Sequence, residues 1–294
     1  MILDLKNLSP VERQSFLNAA VAPRPVCFAS TIDAAGRINL SPFSFFNLFS
    51  TTPPILVFSP SRRVRDNTTK HTLHNVLEVP EVVINIVDYD MVYQMSLASC
   101  EYGKETNEFI KAGFTQQPAT LITPPMVKES KVKIECAVLE VKSLGDQGGA
   151  GNLVICEALR MHIDDTILDD GKRSIDQHRL HHIARLGGDW YCKVDEQNLF
   201  RVEKPNTQLG IGIDALPAPI RNSSILSGND LGQLANVHDL PVVDPSFHDE
   251  TLKNIFQYYS VNPEEMEKEL HLYAKELLRS GKVLAAWQVL LALN

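Results

Sequence analysis

The segment from Ser59 to Thr72 combines residue types that bind phosphate. It contains four basic residues within nine positions of an otherwise acidic chain: Arg62, Arg63, Arg65 and Lys70. Ser and Thr residues surround them, and the apolar spacing that follows predicts a helix over residues 67–77. Guanidinium and ammonium groups, together with the free N–H groups at a helix start, all bind phosphate oxygens. The segment therefore predicts a phosphate site, and the alternative interpretation is a solvated basic loop.

A second candidate is the segment LHHIARLGGDWYC over residues 180–192. Two adjacent histidines follow His178, but neighbouring side chains diverge on a helix or a strand, and no carboxylate or Cys stands at ligand spacing, so no metal site is expected. The stretch 185–188 is better interpreted as backbone that comes close to another group. Trp190 and Tyr191 would form an aromatic platform after it.

Nucleophilic catalysis leaves no clear pattern in the chain. Ser44 and Ser59 lack a Gly-x-Ser-x-Gly context, and no Asp–His pair can be assigned to them. The stretch Gly148–Gly151 lacks the strand–turn–helix context of a dinucleotide-binding loop, and a hairpin loop explains it. If the protein is an enzyme, a bound cofactor is expected to carry the reaction.

Charge and composition narrow the class of protein further. The chain has 294 residues, a net charge of −8 and a pI of about 5.6, which argues against a general affinity for nucleic acid or anionic membranes. Its five cysteines include no Cys-x-x-Cys pair, and Cys27, Cys136 and Cys156 lie in apolar runs typical of core residues. The N-terminus lacks a signal-peptide pattern, and the most apolar window, 283–293, is too short to span a bilayer. We expect a reduced, cytoplasmic protein.

Strand patterns dominate the first two thirds of the chain. β-Branched and aromatic residues mark six segments: residues 25–31, 38–50, 55–59, 82–87, 132–142 and 153–163. Turns at residues 33–36 and 146–151 make the connections short, which favours antiparallel neighbours. Helical spacing marks inserts at residues 67–77, 91–97 and 105–112. The fold is expected to be mainly β, an antiparallel barrel or sandwich with helices at its rim.

The character of the chain changes near Asn206. Residues 207–245 are rich in Gly, Pro, Asn, Ser and Asp, which predicts a long irregular connection. An amphipathic helix is predicted over residues 249–259, and a second one begins after an Asn262 N-cap and ends near Gly281. We expect this tail to have a structural or partner-binding role. The expected organisation is a domain over residues 1–206 and an irregular linker with a C-terminal helical extension over residues 207–294.

Seven blocks of sequence follow one another in a familiar order. They are PRPVCFASTIDAAGRINLSPFSFFN, PPILVFSPSRR, KHTLHN, VINIV, PPMVKESKVKIECAVLEV, GNLVICEALRMHIDD and RLGGDWYCKV. As a set they resemble the flavin reductase-like, FMN-binding split-barrel family, and its flavoredoxin-like branch in particular. The resemblance covers residues 20–201 and leaves the tail outside. The family commonly has an acidic residue after the lysine of the third block, where this chain has His71.

The resemblance implies an antiparallel Greek-key split β-barrel that forms a homodimer, with FMN held near the subunit boundary. Segment 40–50, LSPFSFFNLFS, mixes phenyl rings with small polar groups on both faces, as a surface against a flat aromatic ligand would. By resemblance, four residues would line the isoalloxazine ring: Ser44, Phe45, Phe46 and Asn47. Five would lie by the phosphate: Ser59, Arg62, Arg63, Lys70 and Thr72. Three would approach the ring or the nicotinamide side: Arg24, Arg185 and Gly187.

The expected function is that of an FMN-binding oxidoreductase that takes a hydride from NADH or NADPH. It would pass the electrons to a flavin or to another acceptor, such as a downstream oxygenase. Two alternatives stay open: a non-catalytic FMN electron carrier reduced by a partner protein, and a binding protein for flavin or another aromatic ligand. No residue pattern distinguishes NADH from NADPH as the donor.

Overall fold

The structure is a computed structural model that describes residues 1–202, 204 and 209–292. The chain divides into two compact units, Met1–Leu199 and Phe200–Asn294. The domain boundary that the sequence predicts, after Asn206, lies outside the described residues. Within the described ranges, no helix is long and apolar enough to cross a membrane.

The first unit is built mainly from antiparallel strands. The strands are β1 (Arg24–Pro25), β2 (Cys27–Ile32), β3 (Ile38–Phe43), β4 (Phe46–Thr51), β5 (Pro54–Phe58), β6 (Glu81–Ile86), β7 (Gln116–Gln117), β8 (Met126–Val127), β9 (Val132–Ser143), β10 (Asn152–Ile163), β11 (Ile183–Arg185) and β12 (Tyr191–Lys193). Seven of them form one sheet in the order β3-β2-β6-β9-β10-β5-β4, and every neighbouring pair is antiparallel. Smaller sheets are formed by β1, β11 and β12 and by β7 and β8.

The connectivity of the chain forces the seven-stranded sheet to curl. Strands β3 and β4 lie at opposite edges of the sheet, yet only Ser44 and Phe45 separate them in sequence. In a flat sheet these edges would be about 29 Å apart, whereas the three steps from Phe43 to Phe46 span at most about 11 Å. The sheet therefore bends into a barrel that is open between β3 and β4.

Residues 38–50 form two strands, not the single segment that the sequence predicts. Strand β3 pairs with β2, and strand β4 pairs with β5. The break at Ser44 and Phe45 explains why no single alternation of polar and apolar residues runs through the segment, because its halves belong to opposite edges of the barrel.

The barrel surrounds an apolar core that contains the rings of Phe43 and Phe58, whose centroids lie 5.1 Å apart. Cys27, Cys136 and Cys156 are buried in the same core, which confirms their prediction as core residues. Burial raises the pKa of each of the three thiols, so they remain protonated and act as small apolar side chains.

Four helices of the first unit lie outside the sheet. They are α1 (Pro10–Ala20), α2 (His71–Glu78), α3 (Val92–Ala98) and α4 (Glu108–Ala112). Helix α2 begins at His71, and the expected start at Asn67 is wrong. Asn67 adopts a left-handed conformation with φ of 57°, and its side-chain amide donates to the Asp146 carbonyl over 2.9 Å. It therefore belongs to a loop that is fixed by a distant hairpin.

The second unit is helical. Its helices are α5 (Ala218–Arg221), α6 (Gly228–Ala235), α7 (Glu250–Tyr258), α8 (Pro263–Arg279) and α9 (Val283–Leu291). Asn262 caps α8 by accepting the Glu265 N–H over 3.3 Å, and Gly281 after its end has φ of 71°, so both predicted boundaries are confirmed. The core of the second unit includes the fully buried Trp287, whose indole N–H donates to the Leu234 carbonyl over 3.2 Å.

The stretch 207–245 is less irregular than its composition predicts, because α5 and α6 form within it. Ser227 and Asp230 make a capping box at the start of α6, which offsets the poor helix propensity of its glycines. Helix α9 has no polar face in its sequence, and it forms because Trp287 and Leu290 are buried in the core of the second unit.

Candidate functional site

A cavity of about 100 Å³ lies between the start of α2, strand β3 and the segment after α3, and Lys70 and Arg63 border it. The largely buried Lys70 ammonium donates to Ser41 Oγ over 3.3 Å and lies 5.0 Å from the centre of the Phe43 ring. Burial, with a smaller effect of the nearby Arg63 guanidinium, lowers the pKa of Lys70. No carboxylate of the described residues lies within ion-pair distance of Lys70, and the charges of the nearby Glu101 and Glu108 raise its pKa by less than burial lowers it.

The start of α2 adds hydrogen-bond donors to this cavity. Lys70 is the N-cap residue, and no described side chain caps the helix. The first N–H groups of α2, those of His71 and Thr72, therefore lack intrahelical acceptors. A buried cation beside an uncapped helix start is complementary to an anion, and the small cavity suits a phosphate group better than a whole nucleotide.

The Thr72 side chain forms a buried hydrogen bond and does not face the cavity with a free hydroxyl proton. Its hydroxyl is buried and donates to Asn39 Oδ1 over 2.7 Å, and the Asn39 amide donates to the Glu108 carboxylate over 3.0 Å. Glu108 also accepts the Leu40 N–H over 3.0 Å, and burial raises the pKa of its carboxyl group. These bonds join α2, β3 and α4, so the backbone N–H is what Thr72 contributes to the helix start.

Arg63 both shapes the loop before α2 and borders the cavity. Its Nη1 donates to Thr68 Oγ1 over 2.8 Å and to the Thr69 carbonyl over 2.9 Å. Its Nε forms an ion pair of 3.1 Å with Glu101, which also pairs with the exposed Arg65 over 2.7 Å. Arg63 therefore forms an ion pair with Glu101, whereas Lys70 forms none with a described carboxylate and is affected by Glu101 and Glu108 only from a longer distance.

The loop between β9 and β10 packs directly on the basic loop. Arg62 donates its backbone N–H to the Ala150 carbonyl over 2.8 Å, and its guanidinium donates to Asn67 Oδ1 over 2.7 Å. A Cβ at Gly148 would lie 3.0 Å from the Val64 carbonyl oxygen and 3.1 Å from that of Arg63, so the two loop backbones approach closely at this glycine. The small glycines allow the β9–β10 loop to pack against the basic loop. The prediction of a simple hairpin loop did not include this contact.

The segment expected at the flavin ring adjoins the basic loop. Ser44 and Phe45 join β3 to β4, and the Phe45 carbonyl accepts the Ser59 N–H over 2.9 Å. The Phe45 ring is 42% exposed and Asn47 is exposed, whereas Phe46 packs against the barrel core. Phe45 and Asn47 are therefore the members of this segment that offer a surface to a ligand.

Arg24 connects the end of α1 to the sheet of β1, β11 and β12 through hydrogen bonds, and it lies next to Phe45. Its guanidinium donates to the carbonyls of Asn18 and Leu186, over 2.7 and 2.9 Å, and to that of Val21. Its Cζ lies 5.8 Å from the centre of the Phe45 ring. Burial, followed by the charge of the neighbouring Arg185, lowers the pKa of Arg24. Arg24 Nε is buried and has no partner among the described residues.

Arg185 pairs with Arg24 across β1 and β11 and stacks on an aromatic ring. Its guanidinium carbon lies 4.5 Å from the centre of the Tyr191 ring, and it donates to the Tyr191 hydroxyl and to the Gly188 carbonyl. A Cβ at Gly187 would lie 3.0 Å from Ala19 Cβ. The expected close approach at Gly187 is therefore present, and its partner is helix α1.

The predicted site residues form one continuous group in the first unit. Phe45 links its two ends, because its ring lies by Arg24 and its carbonyl binds Ser59 at the start of the basic loop. Sequence reasoning missed Glu101 and Glu108, and no local pattern would have found them because both are far along the chain from Lys70. Among the residues that the structure describes, no three His, Cys, Asp or Glu side chains are arranged to hold a metal ion.

Comparison with known proteins agrees with this architecture. A model of the flavin reductase like domain matches residues 20–178. A protein of Halalkalibacterium halodurans is 33% identical over 207 residues, which are 70% of this chain and 97% of that protein. Component B of nitrilotriacetate monooxygenase from Bacillus cereus has a similar structure, with a TM-score of 0.63, 26% identity, and coverage of 69% of this chain and 98% of that one.

Flavoredoxin of Desulfovibrio vulgaris (Miyazaki F) shares the fold, with a TM-score of 0.52, 19% identity, and coverage of 64% of this chain and 93% of that one. In each comparison about three tenths or more of this chain lies outside the match, while the other protein is matched almost completely. From the matched domain, the open antiparallel barrel and these neighbours, we conclude that the chain belongs to the flavin reductase-like, split-barrel family.

Proposed function

We propose that this protein is an FMN-dependent oxidoreductase that takes a hydride from NADH or NADPH and passes the electrons to a flavin or to another acceptor. The observation that carries the proposal is Lys70, a largely buried ammonium group beside the uncapped start of α2 with no carboxylate partner among the described residues. In a flavin reductase-like chain, the phosphate of FMN is the anion that this arrangement suits.

The residues present fit the phosphate of FMN at one end of the site and its ring at the other. Lys70, Arg63 and the first N–H groups of α2 would hold the phosphate. Phe45, Asn47 and the backbone of Ser44 would border the ring, because they combine an exposed apolar face with polar groups. Ser59, Arg62, Phe46 and Thr72 would act indirectly, by fixing the loop, the strand and the helix on which these groups lie.

FMN, when bound, supplies the hydride-accepting chemistry. The contribution of the chain at the ring side would be positive charge held in place. Arg24 is held by three carbonyl groups, and Arg185 is stacked on Tyr191 and bonded to Gly188. We propose that the two guanidinium groups attract the anionic nucleotide donor and position it or the flavin ring.

Proteins of similar structure suggest which molecule accepts the electrons. The similar Bacillus cereus protein is a component of nitrilotriacetate monooxygenase. A downstream oxygenase is therefore a candidate partner for this chain, beside a free flavin.

We also propose that the protein is a homodimer with a Greek-key barrel in each subunit, as the family resemblance implies. Large apolar side chains are exposed on the edge strand β4 and on the paired strands β9 and β10: Leu48, Phe49, Leu139, Leu159 and Met161. Phe49, Leu139 and Leu159 lie at three breaks in the strand register, where an extra residue leaves the pairing. Five exposed large apolar side chains on one sheet support burial against a second copy. Light scattering that gives the mass of one chain for the FMN-loaded protein would contradict the dimer.

Anaerobic mixing of the FMN-loaded protein with nucleotides tests the function. The proposal expects a yellow protein whose colour is lost rapidly with NADH or NADPH. Slow loss with both nucleotides, but rapid loss with a separate reductase, would favour an electron carrier. A colourless protein that takes up no FMN would favour a binding protein for a different ligand.

A further inference from the structure

The second unit contains a cleft that the flavin chemistry does not use. Its volume is about 550 Å³, which is within the range of small-molecule sites. Helix α8 forms one wall, and helix α5 with the turn after it forms the other, where Ala218, Pro219 and Ile225 provide an apolar surface. All residues that line the cleft belong to the helical unit, whereas the residues that we propose for FMN belong to the first unit. The cleft would therefore bind a ligand other than FMN.

The turn that forms the second wall is held in place by two side chains of α8. His271 Nδ1 lies 2.7 Å from Ser223 Oγ, and the Lys275 ammonium donates to the Ile225 carbonyl over 2.6 Å. His271 is only 6% exposed, yet it lines the cleft. The cleft is therefore formed before any ligand binds.

The hydrogen bonds of Ser223 fix the position of the imidazole proton. Ser223 Oγ accepts the backbone N–H groups of Ile225 and Leu226, each over 3.1 Å, which occupies both of its lone pairs. The hydroxyl proton must then go to His271 Nδ1, which is the acceptor. Burial lowers the pKa of His271, so the ring is neutral and carries its own proton on Nε2. No other described residue accepts this proton, and His271 presents a free donor to the cleft.

The rim of the cleft is acidic. Glu264 and Glu267 lie on α8 one turn apart and line the cleft, and neither forms an ion pair with a described residue. Lys268, the basic residue of the rim, lies 3.5 Å from Glu265 and is partly neutralised by it. A ligand would therefore meet a donor at the floor, two carboxylates at the rim and an apolar wall.

We propose that this cleft binds a small organic cation that carries a hydroxyl or carbonyl oxygen and an apolar group. The oxygen would accept from His271 Nε2, the ammonium group would bind Glu264 and Glu267, and the apolar group would pack on Pro219 and Ile225. An anion is disfavoured by the two carboxylates, and a cation without an oxygen would cover the Nε2 donor of His271 without accepting its proton.

Calorimetric titration of the full-length, FMN-loaded protein with phenylalaninol tests the proposal, because this probe has the three required groups. Phenethylamine lacks the oxygen, N-acetylphenylalaninol lacks the charge, and N-acetylphenylalanine is an anion. We expect saturable binding of phenylalaninol and affinities at least about tenfold lower for each of the other three compounds. Absence of saturable phenylalaninol binding, or equal binding of the anion, would overturn the proposal.

Variants on α8 assign the binding to the cleft. Glu267→Gln should weaken phenylalaninol binding about tenfold, whereas Glu269→Gln, the matched change on the same helix outside the cleft, should leave it unchanged. His271→Phe should abolish the preference for phenylalaninol over phenethylamine. Because this buried change risks misfolding, the decision rests on the Glu267 and Glu269 pair. Equal effects of those two variants would overturn the proposed position of the ammonium group.

Discussion

The Lys70 ammonium lies largely buried, with one long hydrogen bond to Ser41 and the ring face of Phe43 as its contacts. Removing a charge from water costs free energy that these weak contacts offset poorly. The lowered pKa of Lys70 reflects the same imbalance. A phosphate in the neighbouring cavity would give Lys70 the direct ionic partner that Glu101 and Glu108 do not provide, which is why this residue is central to the proposed site.

Replacing Lys70 by alanine should therefore weaken FMN binding about tenfold or more, because a charge-assisted contact contributes about 1.5–3 kcal/mol. Riboflavin has no phosphate, and its affinity should hardly change. Fluorescence titration of both flavins against the wild type and Lys70→Ala measures the difference.

Two further variants make this titration decisive. Lys142→Ala removes the same charge from an exposed site on β9 and should change neither affinity. Arg62→Ala should act on FMN less than Lys70→Ala, because its guanidinium is already bonded to Asn67. Equal losses for FMN and riboflavin in Lys70→Ala would mean that Lys70 supports the fold and not the phosphate.

The affinity for FMN should also depend on pH through Lys70. Burial lowers its pKa below the ordinary value of 10.5, so the bond to phosphate is present at lower pH and is lost as pH rises through the lowered pKa. We expect FMN binding of the wild type to weaken on the alkaline side below pH 10.5, and riboflavin binding to weaken much less. A parallel pH dependence in Lys70→Ala would assign the effect to another group.

At the scale of elements, the strands of the barrel were predictable from the sequence because β-branched and aromatic runs bounded by turns are local signals. The break between β3 and β4 was not predictable, because it depends on the pairing of β3 with β2 and of β4 with β5 at the two edges of the sheet. The start of α2 was missed for a similar reason, since the left-handed turn at Asn67 is fixed by the Asp146 carbonyl. The family resemblance indicated the residues that we propose for the site, whereas Glu101 and Glu108 were brought to the cavity by tertiary contacts alone.

The contact between the basic loop and the β9–β10 loop gives a prediction at this scale. In Gly148→Ala the new Cβ would lie 3.0 Å from the Val64 carbonyl oxygen and 3.1 Å from that of Arg63, so the backbone of one of the two loops must shift. We expect FMN affinity to fall several-fold, with a loss of stability of about 1–3 kcal/mol. The control is Gly171→Ala, where the nearest atom would lie at 3.8 Å. Urea unfolding and FMN titration of both variants check the prediction, and equal behaviour of the two would contradict it.

Glu135 on β9 stabilises the loop before β8. Its carboxylate is fully buried and accepts the N–H groups of Thr120, Leu121 and Ile122, and it also bonds to His162 over 2.6 Å. Burial alone would raise the pKa of Glu135, but the hydrogen bonds outweigh it, above all those from the Thr120 hydroxyl and His162, and lower the pKa to about 2. The stabilisation is therefore present above the ordinary pKa of 4.5 and is lost as pH falls towards 2.

Glu135→Gln should accordingly lower the free energy of unfolding by about 2–4 kcal/mol at neutral pH, because an amide N–H₂ would face backbone donors. The difference from the wild type should shrink as pH falls from 4.5 towards 2. Glu140→Gln, an exposed change on the same strand, is the control and should have little effect. Urea unfolding at several pH values measures both, and a difference that stays constant with pH would contradict the assignment.

At the scale of the whole molecule, the chain joins a flavin reductase-like barrel to a helical unit with its own core. The family match ends at residue 178, within the first unit, and that unit contains all the groups that we propose for FMN. The helical unit supplies none of them. Hydride transfer from a nucleotide to bound FMN should therefore be a property of the first unit.

Anaerobic stopped-flow mixing of the FMN-loaded protein with increasing concentrations of NADH or NADPH tests the central claim most directly. If the protein binds the donor before hydride transfer, the rate of flavin reduction should rise and then saturate with at least one nucleotide, far above the rate for free FMN. A rate that is no faster than that of free FMN with either nucleotide would contradict the assignment as an NAD(P)H-dependent oxidoreductase.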